Sequence, residues 1–205
     1  MTQEAKTIDL AAVKRGFEKP ALESQRLFRL IMDAIAQPGL IQDLSDAPVP
    51  PAGINRATGA IALTLFDFET TIWLDPALRG GEVEAWLRFH CGCPMTLETR
   101  EAEFAIITDT ATAPTLVEFN QGDAKYPELS TTLIIEVQTL NNNQGQTIRG
   151  PGIQTTRDVG VEGLPENFWE QFSDNHKLFQ FGVDVMLTHD CNVMGLPRTV
   201  QIGED

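Results

Sequence analysis

Positive charge is in short supply. Fifteen Lys and Arg stand against 29 Asp and Glu, a formal net charge of −14. No basic run interrupts that balance, so the chain repels nucleic-acid backbones and anionic bilayers, both of which are bound through clustered Lys and Arg. Long apolar runs are missing too. No window approaches 18 consecutive apolar residues, which excludes a membrane-spanning helix. The opening residues MTQEAKTIDLAAVKRGFEKP lack the basic-then-apolar order of a secretory signal, and three cysteines make no disulfide framework. These absences predict a cytoplasmic protein.

Scarcity also limits the chemistry. There is no Gly-x-Ser-x-Gly nucleophile elbow. Lysine occurs only at Lys6, Lys14, Lys19, Lys125 and Lys177, and none sits in a context that suggests a Schiff base. A covalently held pyridoxal cofactor is therefore not expected. Glu98, Glu101 and Glu103 read as a solvated acidic face rather than a general-acid pair.

What is present describes one α/β domain over residues 1–205, with about 1–19 loosely held. Leu27, Phe28, Ile31 and Ile35 share a helical face, and the pattern predicts a helix from Pro20 to Gln37, ended by Pro38-Gly39. A short strand follows over Leu40–Leu44, and three prolines make Ser45–Gly53 a loop. Arg56–Phe66 reads as a buried helix, Thr70–Leu74 as a strand, Glu82–His90 as a helix and Phe104–Thr108 as a strand. The β-branched run Thr131–Val137 is the type buried on both faces of a sheet. Asn141–Gly145 is expected to turn that strand toward Thr147–Arg149. Pro165–Asn175 reads as a helix, and Val183–Thr188 pairs with Val193–Ile202 through a turn at His189–Asn192. Helices alternate with strands early and strands dominate late, which predicts a mixed central sheet with helices packed on it.

Three constellations offer chemistry. The glycine-rich segment Arg149-Gly150-Pro151-Gly152-Ile153 is no dinucleotide fingerprint, because Thr155 stands where Gly or Ala belongs. It is either a tight turn leaving a strand or an anion site built from Arg149 and nearby N–H groups. His90-Cys91-Gly92-Cys93 and His189-Asp190-Cys191 would supply zinc ligands if they met, but Cys-x-Cys is not the usual structural spacing. Small thiols packed as apolar residues, with no metal, is the favoured reading. Arg198, in Gly195-Leu196-Pro197-Arg198-Thr199 of the terminal hairpin, either binds phosphate bidentately or forms a structural ion pair.

Five segments in order resemble the phosphonate-metabolism H protein family, the H subunit of the carbon–phosphorus lyase system. They are Phe28–Gly39; Leu87-Arg-Phe-His90 with Cys93-Pro94; Arg149–Ile153 with Gly163-Leu-Pro165 and Phe168-Trp169; Asn175-His176 through Phe179 with Gly182-Val-Asp184; and Leu196-Pro-Arg-Thr199. Phe179-Gln-Phe-Gly182 departs from the family's Phe-Pro-Arg-Gly and lacks its basic residue. The resemblance implies a fold like the large domain of pyridoxal-phosphate-dependent transferases without the cofactor. It also implies a homodimer that joins G, I and J subunits. With G, I and the ATP-binding L subunit, such a chain takes part in transferring alkylphosphonate to C1′ of ATP ribose with release of adenine, ATP being a co-substrate. The resemblance assigns no catalytic residue, and Arg149 and Arg198 are the phosphate-contact candidates. The rival reading is a free-standing small-molecule binding or regulatory protein. It predicts a closed apolar pocket, whereas a subunit predicts an exposed apolar face.

Overall fold

The computed structural model describes residues 13–203. Its centre is a seven-stranded mixed sheet. In chain order the strands are β1 (Ile41–Asp43), β2 (Ile72–Leu74), β3 (Met95–Thr96), β4 (Phe104–Ile107), β5 (Thr132–Glu136), β8 (Asp184–His189) and β9 (Asn192–Leu196). In space they run β1-β9-β8-β5-β4-β2-β3. From β3 to β8 every pair is parallel, while β9 returns antiparallel to β8 and β1 antiparallel to β9. Between β5 and β8 the chain builds a second sheet from β6 (Thr139–Arg149) and β7 (Arg157–Glu162), joined by β10 (Gln201–Ile202) in the order β10-β6-β7.

Alternation along the strands divides the core in two. Ile134 and Met186 face the layer formed by α1 (Pro20–Ala36), α2 (Arg56–Leu65) and α3 (Glu82–His90), where Leu27, Ile31, Ile61 and Trp86 meet them. Leu133, Ile135, Val185 and Leu187 face α4 (Phe168–Lys177) and the small sheet, packing with Phe168, Phe172, Ile148 and Val159. Parallel strands need cover on both faces, and the central pair β5 and β8 has it. Residues 13–17 are tied to the helical layer, since Val13 and Phe17 pack there and Trp86 Nε1 donates to the Lys14 carbonyl at 3.0 Å. Within the segment expected to be loose, residues 1–12 lie outside the described residues.

Two expectations are corrected. Asn141–Gly145 does not turn β5 toward Thr147–Arg149. The segment belongs to β6, whose hairpin partner is β7, and Asn142–Gly145 loop out between the Asn141–Gly160 and Gln146–Val159 pairs. A Cβ on Gly160 would lie 2.2 Å from the Gln144 carbonyl, so the excursion needs glycine beneath it. Val193–Ile202 is not one strand. Pro197 has no N–H to continue a ladder, and the chain leaves the large sheet at Leu196 and enters the small one at Gln201. Arg198 thus sits in the crossover between sheets rather than within a hairpin.

Glycine sets one spacing that matters. The end of α1 crosses β9 at Gly195, where an added Cβ would meet the Ala34 carbonyl at 2.5 Å. Gly39 N then donates to the Gly195 carbonyl at 3.2 Å. Among the described residues no helix is long and apolar enough to cross a membrane.

Candidate functional site

Arg198 is the most heavily bonded cation in the crossover region, and its partners reveal its task. Nε and Nη2 hold the two oxygens of Asp184 at 3.2 and 2.6 Å, and the backbone N–H of Arg198 reaches Oδ1 at 2.8 Å. Nη1 donates to the carbonyls of Pro127 (3.0 Å) and Gln180 (3.4 Å), and Nη2 also reaches Ser130 Oγ. A guanidinium has five N–H donors, and five acceptors within the protein use them. The side chains of Arg198 and Asp184 are only 12% and 25% exposed. Of the two readings open for Arg198, the geometry supports the ion pair.

The pair belongs to a larger node. His176 Nδ1 lies 2.9 Å from the Arg198 carbonyl. Buried Asn175 clamps Val183, its Oδ1 accepting Val183 N–H at 2.8 Å and its Nδ2 donating to the Val183 carbonyl at 2.9 Å. Gly182 leaves the room for this, because a Cβ there would lie 2.7 Å from Asn175 Oδ1. Three sequence segments, Asn175-His176, Gly182–Asp184 and Leu196–Thr199, thereby meet in one place.

Arg149 is different. It ends β6, is exposed, and its Nε donates to Gln201 Oε1 at 3.0 Å. The turn after it closes through Ile153 N–H to the Gly150 carbonyl at 3.1 Å. Gly152 has φ +82°, and a Cβ there would fall 2.0 Å from the Ala36 carbonyl. This turn packs on the C-terminal, partially negative end of α1. Its glycines serve close approach to a helix end, and Arg157 completes the contact by donating to the carbonyls of Gln37 and Pro38. Within the segment, Arg149 is the one cationic side chain, and it is exposed.

The cysteine clusters lie apart. Cys91 and Cys93 lead into β3 at one edge of the sheet, while His189–Cys191 forms the turn between β8 and β9 toward the other. His90 Nε2 is 2.8 Å from the Lys14 carbonyl, and His189 Nδ1 is 3.1 Å from the Val137 carbonyl. Cys91 donates toward the Ala62 carbonyl at 3.6 Å and Cys93 toward the Leu87 carbonyl at 3.9 Å. A hydrogen bond with Cys93, together with burial, pushes the Cys91 thiol up. Among the described residues no three His, Cys, Asp or Glu side chains gather as metal ligands would.

Sequence reasoning missed the polar cluster at the carboxyl ends of the parallel strands, where α/β sheets commonly place ligands. Glu136 ends β5, and its Oε1 accepts the Asn55 N–H at 2.7 Å. Asn55 caps α2 by accepting Thr58 N–H at 2.8 Å, and its Nδ2 donates to Thr188 Oγ1 at 3.1 Å. The Thr58 and Thr188 hydroxyls are 2.9 Å apart. Burial raises the Glu136 carboxyl above its ordinary range, against the hydrogen bonds from Asn55 and Thr58. The group is thus poised to hold a proton at higher pH than a surface carboxylate does. Nearby, buried Asp75 follows β2 and accepts from Ala77 N, Thr108 N, Thr108 Oγ1 and Asp109 N, fixing the loop after β4. The available signal was a lone acid closing an otherwise apolar strand.

The family model for bacterial phosphonate metabolism protein (PhnH) matches residues 15–203. The chain belongs to the PhnH family. Within it, the chain is 40% identical over 187 residues to the alpha-D-ribose 1-methylphosphonate 5-triphosphate synthase subunit PhnH of Rhizobium meliloti (strain 1021). That match covers 91% of this chain and 94% of the relative. It is also 28% identical over 186 residues to HtxG of Stutzerimonas stutzeri, whose name places it provisionally among C-P lyase subunits. There the cover is 89% of this chain and 87% of the relative. The Arg198 node and the Gly152 turn lie inside the PhnH-matched span.

Proposed function

We propose that this chain is a subunit of alpha-D-ribose 1-methylphosphonate 5-triphosphate synthase, acting in alkylphosphonate catabolism by the C–P lyase system. The observation that carries the reading is the 40% identity to a synthase subunit, spread over 91% of this chain. The reaction joins an alkylphosphonate to C1′ of ATP ribose and releases adenine. The chain contributes to it as a member of a complex with G, I and J subunits, and as a homodimer when alone. The acidic net charge of −14 and the lack of basic clusters suit a protein whose partners are other proteins. The large domain of pyridoxal-phosphate-dependent transferases is the fold we expect it to resemble, without that cofactor.

Arg149 is the residue we assign to phosphate contact, because its guanidinium is exposed and holds one side-chain acceptor, Gln201. Arg198 serves the fold instead. Two results test the reading. Co-expression of the tagged chain with the G, I and J subunits of its source should yield one complex, and a chain that purifies without them would overturn the assignment. Within that complex Arg149→Ala should weaken nucleotide binding without lowering thermal stability. Unchanged nucleotide affinity would remove Arg149 from the site.

A further inference from the structure

Apolar side chains are left in water along one face of the α4 layer. Val117, Tyr126, Leu129, Leu178, Phe179 and Phe181 are all exposed, Val117 by 60% and Phe179 by 57%. They come from three segments held in one surface. Gly182 N–H donates to the Gln121 carbonyl at 2.9 Å. Arg198 joins the Pro127 and Gln180 carbonyls through the same nitrogen. Between α4 and residues 115–121 lies a depression of about 350 Å³, with Val117, Leu178, Gln121 and Asn175 in its wall. That size admits one large side chain comfortably, and it is at the small end for a metabolite site. Val117 and Leu178 wall the depression, and the other exposed apolar groups extend from it on the segments tethered beside it. Such a concentration marks a protein-binding face rather than a scatter of surface residues.

The charges around it say which kind of protein. Glu118, Asp123, Glu128 and Asp174 border the patch and are exposed. Two ammonium groups stand among them, and both are engaged. Lys177 Nζ sits 2.7 Å from Asp174 Oδ1, and Lys125 lies 4.7 Å over the Tyr126 ring. A second copy of this chain would bring the same acidic border across a two-fold axis, against a net charge already at −14. A partner with basic residues around an apolar anchor meets no such repulsion and gains steering.

We propose that this face docks a different subunit, which places an apolar side chain in the depression and Lys or Arg side chains against the acidic border. The inference rests on the complex membership argued above. Its test uses the tagged full chain co-expressed with the G, I and J subunits. Phe179→Ser with Phe181→Ser should lower the partner subunits retained about ten-fold or more, as loss of an anchor does. Phe68→Ser with Leu97→Ser alters a separate exposed apolar pair (75% and 71% exposed) and should leave retention unchanged. Glu128→Lys with Asp174→Lys, two exposed sites that do not disturb the core, should slow association several-fold and flatten its salt dependence. Partner retention equal to the parent in both the aromatic and the charge variants overturns the proposal. So does an aromatic variant that turns the isolated dimer into a monomer, because the occupant is then a second copy. If the unaltered chain retains none of the three subunits, complex membership itself fails, and this face loses its occupant with it.

Discussion

Replacing Arg198 with Ala separates a structural role from a ligand role. The change deletes a two-point pair with Asp184 whose side chains are 12% and 25% exposed. Removing one member of a buried pair costs about 3–5 kcal/mol, and partial exposure trims that toward about 2–4 kcal/mol. Asp184 keeps the backbone N–H of residue 198 at 2.8 Å, and the Pro127 and Gln180 carbonyls lie close enough to the surface to rehydrate. For a chain of this length the expected fall in melting temperature is about 5–15 °C, at about 2–4 °C per kcal/mol. Thermal unfolding by circular dichroism, checked by urea titration, reads it directly. Arg198→Lys should recover only part of the loss, since an ammonium cannot reach five acceptors in a planar fork. Combining Arg198→Ala with Asp184→Asn should cost less than the sum of the two by about 1–2 kcal/mol. A variant that melts within about 2 °C of the parent, yet loses nucleotide affinity in the assembled complex, would refute the structural reading and return Arg198 to the binding site.

Three further outcomes follow from the geometry. Glu136 has its folded pKa raised by burial, so the folded state holds that proton more tightly than the unfolded state. Stability from this group is present at low pH and is lost as pH rises from the ordinary value near 4.5 through the folded one. Glu136→Gln can still accept the Asn55 N–H, so its stability relative to the parent should improve across that window, and a flat difference in urea midpoints would contradict it. Asn55→Ala removes the α2 cap and the bond to Thr188, and should cost about 1–2 kcal/mol in chemical unfolding. Gly152→Ala meets the Ala36 carbonyl at 2.0 Å with φ at +82°. It should destabilise by about 2–4 kcal/mol while leaving Arg149 in place, and a neutral result would mean the turn is not packed on α1 as described.

The elements were legible where one force decided them. Pro20 at the helix start and the Leu27–Ile31 face mark α1, and β-branched Thr131–Val137 marks β5, because periodicity and burial agree there. The misses share a cause. β7, Arg157–Glu162, is a Val-Gly-Val core flanked by charged residues, with a single buried valine, Val159, so its pattern is too thin to declare a strand. β3 is two residues long and owes its existence to β2 alongside it. The Asn141–Gly145 segment has true turn chemistry, yet the turn is an excursion within a strand, and only the partner across the ladder distinguishes the two. Pro197 was visible as a ladder breaker. What it separated was not visible, since two sheets and one crossover read the same in sequence as one long strand.

The same limit explains the site. An Arg after Pro in a sheet-rich tail suits phosphate binding and ion pairing equally, and residue type carries no information about which acceptors the fold brings near. Position does. Asp184, Ser130, Pro127 and Gln180 are 14, 68, 71 and 18 residues away in sequence, so each becomes an Arg198 partner only after the sheet has formed. Long-range bonds of this kind have a consequence beyond stability. Alongside the Asn120–Leu129 and Gly182–Gln121 bonds, they fix the mutual position of the exposed loops 126–129 and 178–181. If a partner docks on those loops, Arg198→Ala should weaken docking although Arg198 touches no partner. That loss should be repaired at lower temperature or in stabilising osmolyte, where the crossover refolds into place. A loss of the exposed Phe179 and Phe181 side chains should not be repaired that way, because no folding equilibrium restores a missing side chain.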